Sequence, residues 1–128
     1  KKHSSLFCDS RLLIVILQLT MGATKSDIFT TDQNEIALIA KAIGHPARIA
    51  ILQYLLQKNA CVCGDIVGEI GLAQATVSQH LKELKQAGLI KGDIDGRSVC
   101  YCIDNTKWEI VKDLLFQFFD QKQDPSCC

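Results

Sequence analysis

The residues of this chain best equipped for chemistry are four cysteines in two pairs, Cys61-Val62-Cys63 and Cys100-Tyr101-Cys102. Spacing of i, i+2 on a strand puts both thiols of a pair on one face. Soft thiolates favour arsenite, Cd, Zn, Cu(I) or similar thiophiles. The chain ends Pro125-Ser126-Cys127-Cys128, so the terminal thiols are a further source of a third ligand, and Cys8 completes a set of seven. An odd count argues against a full disulfide framework, and in a reducing compartment such thiols act as ligands, sensors or buried apolar groups rather than staples. The core alternative stands beside the ligand one at even weight: Cys is among the most readily buried residues, and Cys61 and Cys63 suit an apolar interior equally well.

A second pattern lies between those pairs. If Ala73 to Gly88 is a helix, Val77, Leu81, Leu84 and Gly88 form one inward stripe, while Ala75, Gln79, Lys82 and Gln86 face away with Thr76 and Ser78 beside them. Short hydroxyls and amides on the first two turns are the groups that read base edges, and the ammonium groups behind them suit phosphates. A solvated polar face is the commoner explanation of such a helix taken alone. Its surroundings reverse that weighting.

Upstream, Asp65 to Ile70 reads as a short helix with Ile66, Val67 and Ile70 inward, and Gly71 supplies a turn, which is the helix-turn-helix layout. Downstream, Leu89 to Ile94 and Ser98 to Ile103 read as strands joined around Asp95-Gly96, a dipeptide suited to the positive φ of a tight hairpin. The expected fold is mainly α with a small β-hairpin wing, a winged helix-turn-helix. In winged helices the short strand before the helix-turn-helix pairs with the second wing strand, and on that pairing the four thiols meet across two adjacent strands.

Three stretches carry a resemblance. Gly44-His-Pro-Ala-Arg-Ile-Ala-Ile-Leu52, Leu72-Ala-Gln-Ala-Thr-Val-Ser-Gln-His-Leu-Lys-Glu-Leu-Lys-Gln-Ala-Gly-Leu-Ile90 and Gly96-Arg-Ser-Val-Cys-Tyr-Cys-Ile103 resemble the ArsR-type (ArsR/SmtB) winged-helix metalloregulators, over roughly Gln33 to Phe119. The resemblance implies a homodimeric repressor that leaves its operator when a metal, metalloid or other signal binds. Members that take their inducer through sulfur carry a Cys-Val-Cys-Asp-Leu run at the start of the first helix of the motif. Here Gly64 separates Cys63 from Asp65, and Ile66 stands where the third sulfur would be. One residue of slip on a strand turns every side chain to the other face, which keeps the core alternative open. Members with a zinc site on the last helix use His and acidic ligands, and that helix has no His here.

Around this centre, Asp32 with Glu35 reads as a capping box opening a helix that Gly44 stops. Pro46 fits the first turn of the next helix, with His45 before it as a capping or packing residue. A last helix from about Thr106 to Asp120, capped by Asn105 or Thr106, carries more apolar surface than its own core needs, as a dimer interface requires.

At 128 residues, with 48% apolar and 22% charged, the chain suits one globular domain, expected over residues 21–122, with a flexible cysteine-containing tail at 123–128. Residues 1–20 fall outside the pattern: the apolar run Leu12 to Leu17 is far short of the ~20 residues that cross a bilayer. They are expected to be a non-native or disordered extension preceding Met21, the only methionine. Formal net charge is zero, so attraction to phosphates must come from local clustering. No catalytic constellation is visible and an enzyme is not expected.

The expectation is therefore a cytoplasmic homodimer, without a membrane partner, that binds double-stranded operator DNA as a repressor. The residues expected on DNA are Gln74, Thr76, Ser78, Gln79, Lys82, Lys85, Lys91 and Arg97, with His80 flanking the buried stripe in a packing or phosphate role. The ligands expected for an inducer (arsenite, Cd or Zn, nothing being bound permanently) are Cys61, Cys63, Cys100 and Cys102, with Cys127 or Cys128 as a third-ligand source. The alternatives are oxidation of the same thiols, a signal that touches no cysteine, or a thiol metal-buffer or redox protein without DNA binding.

Overall fold

A computed structural model describes residues 26–96, 98–123 and 126. Two compact units divide the chain, Lys1–Thr30 and Thr31–Cys128. Of the first, only a 3-10 turn at Ser26–Ile28 and the two residues after it are described. The extension expected at residues 1–20 lies outside the described residues, as do Arg97, Cys127 and Cys128.

The second unit runs α1 (Thr31–Ile43), α2 (Pro46–Lys58), β1 (Val62–Cys63), α3 (Ile66–Ile70), α4 (Gln74–Gln86), β2 (Ile90–Asp95), β3 (Ser98–Ile103) and α5 (Asn105–Phe119). Its fold is mostly helical with one three-stranded antiparallel sheet, in the order β1-β3-β2, as the sequence predicts for a winged helix-turn-helix.

Local chemistry sets the element ends. His45 is the N-cap of α2: its backbone is extended and its Nδ1 accepts from the Ala47 N–H at 3.1 Å, while Pro46 occupies the first turn, where a missing N–H costs nothing. Gly71, at φ 71°, makes the turn from α3 to α4 by accepting a left-handed backbone that a Cβ would oppose. The α4 stripe Val77, Leu81 and Leu84 is buried and meets Ile39, Ile51, Leu55 and Leu89 in one core.

Three boundaries depart from expectation. Helix α1 begins at Thr31, so Asp32 lies inside its first turn, and the Glu35 carboxylate takes the Lys107 ammonium of α5 instead of closing a capping box. Strand β2 starts at Ile90, because Leu89 is fully buried and its N–H is spent on the Leu84 carbonyl. The cap of α5 is Asp104, one residue before the expected pair, with its Oδ1 accepting from the Lys107 N–H at 3.1 Å.

Candidate nucleic-acid interface and thiol cluster

Helix α4 presents its polar face as the sequence predicts. Gln74, Thr76, Ser78, Gln79, Lys82 and Lys85 are all exposed on it, and the buried stripe behind them fixes the helix against the core. Ala73 offers no side-chain cap, so the first amides of α4 keep the unpaired N–H groups that favour an anion at a helix N-terminus.

Several of these side chains already have intramolecular partners. Gln79 Nε2 donates to Glu83 Oε1 at 2.9 Å, and the other oxygen of Glu83 lies 3.8 Å from Nη1 of Arg48 on α2. A carboxylate accepts only, so this bond fixes which end of the Gln79 amide faces it and leaves Oε1 outward. Gln74 Nε2 donates to Ser78 Oγ at 3.5 Å. Lys85 Nζ donates to the Gly92 carbonyl of β2 at 3.2 Å, tying the helix to the wing. Lys91 sits on β2 with its ammonium 3.5 Å from Asp104 Oδ2. Its charge is thereby shared, and each ammonium has two further hydrogens to donate. His80 is half-buried and packs on the His45 ring at 4.4 Å between centroids, the packing role. Burial, with His45 and Arg48 adding to it, holds its imidazole below the ordinary histidine range.

The thiols converge. Strand β1 pairs antiparallel with β3 so that Val62 faces Tyr101 and Cys63 faces Cys100. Continuing that register by one residue sets Cys61 opposite Cys102, and a hydrogen bond links those two thiols. Alternation then places all four sulfurs on one face of the β1–β3 pair. Gly64, at φ 88°, makes a left-handed turn between β1 and α3.

Cys61 and Cys63 are exposed, whereas Cys100 is buried, so the core role falls to a cysteine of the other pair. The expectation that every thiol stays reduced is corrected: Cys63 and Cys100 are joined, as direct opposition at 4.1 Å between Cα atoms allows. The bond takes two sulfurs away, and no group of three or more His, Cys, Asp or Glu able to hold a metal ion is present among the described residues. Cys61 and Cys102 remain as thiols. The hydrogen bond with Cys61, and then burial, push the Cys102 thiol up to about 11. Both line a hollow of about 260 Å³ between the end of α2 and the start of α5.

Sequence reasoning missed Arg48, Glu83 and Asp104. The i, i+4 spacing of Gln79 and Glu83 was a usable signal. No local pattern announces Arg48, which reaches Glu83 from another helix.

A short helix, a glycine turn, a second helix with an exposed polar face and a hairpin beside it define a winged helix-turn-helix. The comparisons agree and give the family. Residues 45–91 match the model described as "Bacterial regulatory protein, arsR family". An HTH-type transcriptional regulator of Methanocaldococcus jannaschii is 40% identical over 78 residues, 59% of this chain and 86% of that protein. A cadmium resistance transcriptional regulatory protein, the CadC homolog of Staphylococcus aureus, is 33% identical over 100 residues, 77% of this chain and 79% of that one. The homodimeric winged helix-turn-helix DNA-binding domain of a possible ArsR-family regulator from Mycobacterium bovis superposes with a TM-score of 0.58 at 24% identity, covering 80% of this chain and 94% of that one. The chain belongs to the ArsR family, whose members are transcriptional regulators and not enzymes. Among the described residues no helix is long and apolar enough to cross a membrane.

Proposed function

We propose that this protein is a cytoplasmic homodimeric repressor that binds a short palindromic operator through α4 and leaves it when a thiophilic ion reaches the β1–β3 thiols. The observation that carries the sensing half is the register that puts Cys61, Cys63, Cys100 and Cys102 on one face. Strand β1 leads directly into α3, so a change of sulfur spacing there tilts the helix-turn-helix. A coupling of ~1–3 kcal/mol releases a marginally bound repressor. Arsenite is the first candidate and Cd or Zn the second, by the softness of the donors. The CadC homolog's name records cadmium resistance, in line with such a class. Oxidation of the same thiols is the second reading, and the Cys63–Cys100 bond favours it.

On DNA, Gln74, Thr76, Ser78, Gln79 and Lys82 face the major groove and Lys85 and Lys91 the phosphates, with Arg97 of the wing on a phosphate or the minor groove. Gel shifts on the DNA upstream of the protein's own gene, at two salt concentrations, test this. Gln79→Ala relaxes base preference and costs ~1–3 kcal/mol, whereas Lys85→Ala weakens all sequences alike and flattens the salt slope. Identical behaviour of the two variants would sink the groove assignment. For sensing, Cys61→Ser with Cys63→Ser leaves operator binding intact and abolishes release by arsenite. Retained release would remove these thiols from the mechanism. Truncation after Ser126 abolishes release only if the tail supplies a sulfur.

A further inference from the structure

The two rungs of the thiol ladder differ in state. Cys63 and Cys100 are bonded, and Cys61 and Cys102 are neighbouring thiols that line a hollow together with Leu55, Leu56, Asn59, Ile103 and Asn105. The number of sulfurs on offer is therefore two with the first rung closed and four with it open. Thiophiles differ in how many they need. Trivalent arsenic forms three bonds and wants three thiolates, and structural zinc takes four ligands. A soft monovalent ion of the Cu(I) kind is content with two sulfurs in line.

We propose that the Cys63–Cys100 bond selects the ligand: closed, the chain holds one linear, two-coordinate soft cation between Cys61 and Cys102; open, it takes three- and four-coordinate thiophiles on the same face. This refines the reading of the cluster as the sensing site and rests on it. In the closed state, Cys61 and Cys102 each give up a proton and share the cation, so two protons leave per ion bound. Opening the rung consumes two equivalents of a low-molecular-weight thiol: the disulfide is reduced to two cysteine thiols and the small thiol leaves as its own disulfide. Arsenite then binds three of the four sulfurs by exchanging its hydroxyls for thiolates, with loss of three waters and no change of oxidation state.

The test uses the full chain carrying Cys8→Ser, Cys127→Ser and Cys128→Ser, so that only the ladder sulfurs remain. It is prepared oxidised, with two free thiols by titration, and reduced under anaerobic conditions, with four. Silver nitrate stands in for the soft monovalent cation, because Ag(I) has no accessible oxidation step, and sodium arsenite is the second probe. Stoichiometry is read by native mass spectrometry, affinity by competition and proton release by a pH indicator. The oxidised chain takes one silver ion and releases two protons, and it binds arsenite roughly tenfold or more weaker than the reduced chain does. Cys61→Ser, at an exposed position, removes the silver site from the oxidised chain. Cys63→Ser with Cys100→Ser keeps the two-sulfur behaviour even under reductant, which separates ligand number from any effect of the bond on shape.

Equal arsenite affinity in the two states, or silver binding that survives Cys61→Ser, overturns the proposal. Should the double variant fail to fold, the oxidised and reduced forms of the parent chain and the single Cys61→Ser change decide it alone. No DNA enters these measurements. A chain that passes them yet holds its operator under arsenite refutes the sensing function and leaves the ligand selection standing; a chain that fails them yet releases its operator does the reverse.

Discussion

At the scale of single residues, Cys61 and Cys102, the unbonded thiols of the β1–β3 pair, are chemically unequal. Cys61 is exposed, whereas Cys102 is half-buried and held protonated by its hydrogen bond to Cys61 and by its surroundings. The thiolate is the nucleophile, so alkylation reports this difference. Limited iodoacetamide at pH 8, followed by peptide mapping, labels Cys61 ahead of Cys102, and the Cys102 rate climbs only as pH approaches about 11. The linkage has a definite sign: a thiol pKa raised by folding means the folded state prefers the protonated form. That contribution to stability is complete below the unfolded thiol value and lost as pH rises from there through about 11. Equal labelling of both residues at pH 8 would show that the rung does not exist in solution.

Among the elements, the wing depends on one glycine for a steric reason. A Cβ placed on Gly92 would stand 2.9 Å from Cε1 of Tyr101 across the β2–β3 pair and 3.2 Å from Nζ of Lys85. Tyr101 packs against the core, so its ring cannot simply swing away, and Lys85 is the link from α4 to the wing. Gly92→Ala is expected to cost about 1–3 kcal/mol by overpacking, read as a lower midpoint in urea. An unchanged midpoint would mean the strands part freely there. Helix α4 and the hairpin were legible because their patterns are periodic and local: three apolar residues on one stripe, and alternation around a glycine turn. The cap of α5 was less so, since Asp104, Asn105 and Thr106 are three adjacent capping residues and only the direction of the Lys107 N–H chooses among them. Glu35 misled for the opposite reason, as its partner Lys107 lies 72 residues away and no local pattern marks it. The facing of the four thiols was readable from i, i+2 spacing plus a strand pairing. The bond between two of them was not, because spacing fixes which sulfurs meet and the redox state fixes whether they join.

At the scale of the whole molecule, the second unit leaves apolar surface uncovered in one place above all. Ile110, Phe116, Phe118 and Phe119 of α5 are exposed, with Leu38 of α1 exposed as well, and a groove between the two helices is lined by Ile36, Ala37, Leu114 and Phe118 together with Asp32, Gln33, Gln117 and Gln121. Helices α1 and α5 are in contact, and the Glu35–Lys107 ion pair ties them together. With the palindromic operator proposed above, exposed apolar surface of this kind calls for a second copy, because a two-fold dimer presents two recognition helices one helical turn of DNA apart. Phe116→Asp with Phe119→Asp is therefore expected to yield a monomer by sedimentation equilibrium. The unfolding midpoint should stay near that of the parent measured at high dilution, since both side chains are exposed and neither supports the core. Binding should fall by about 10²–10⁴ on a palindrome, as the two sites lose their shared effective concentration, and stay unchanged on an isolated half-site. A variant that sediments as a dimer, or that keeps full affinity for the palindrome, would place the interface elsewhere on the chain.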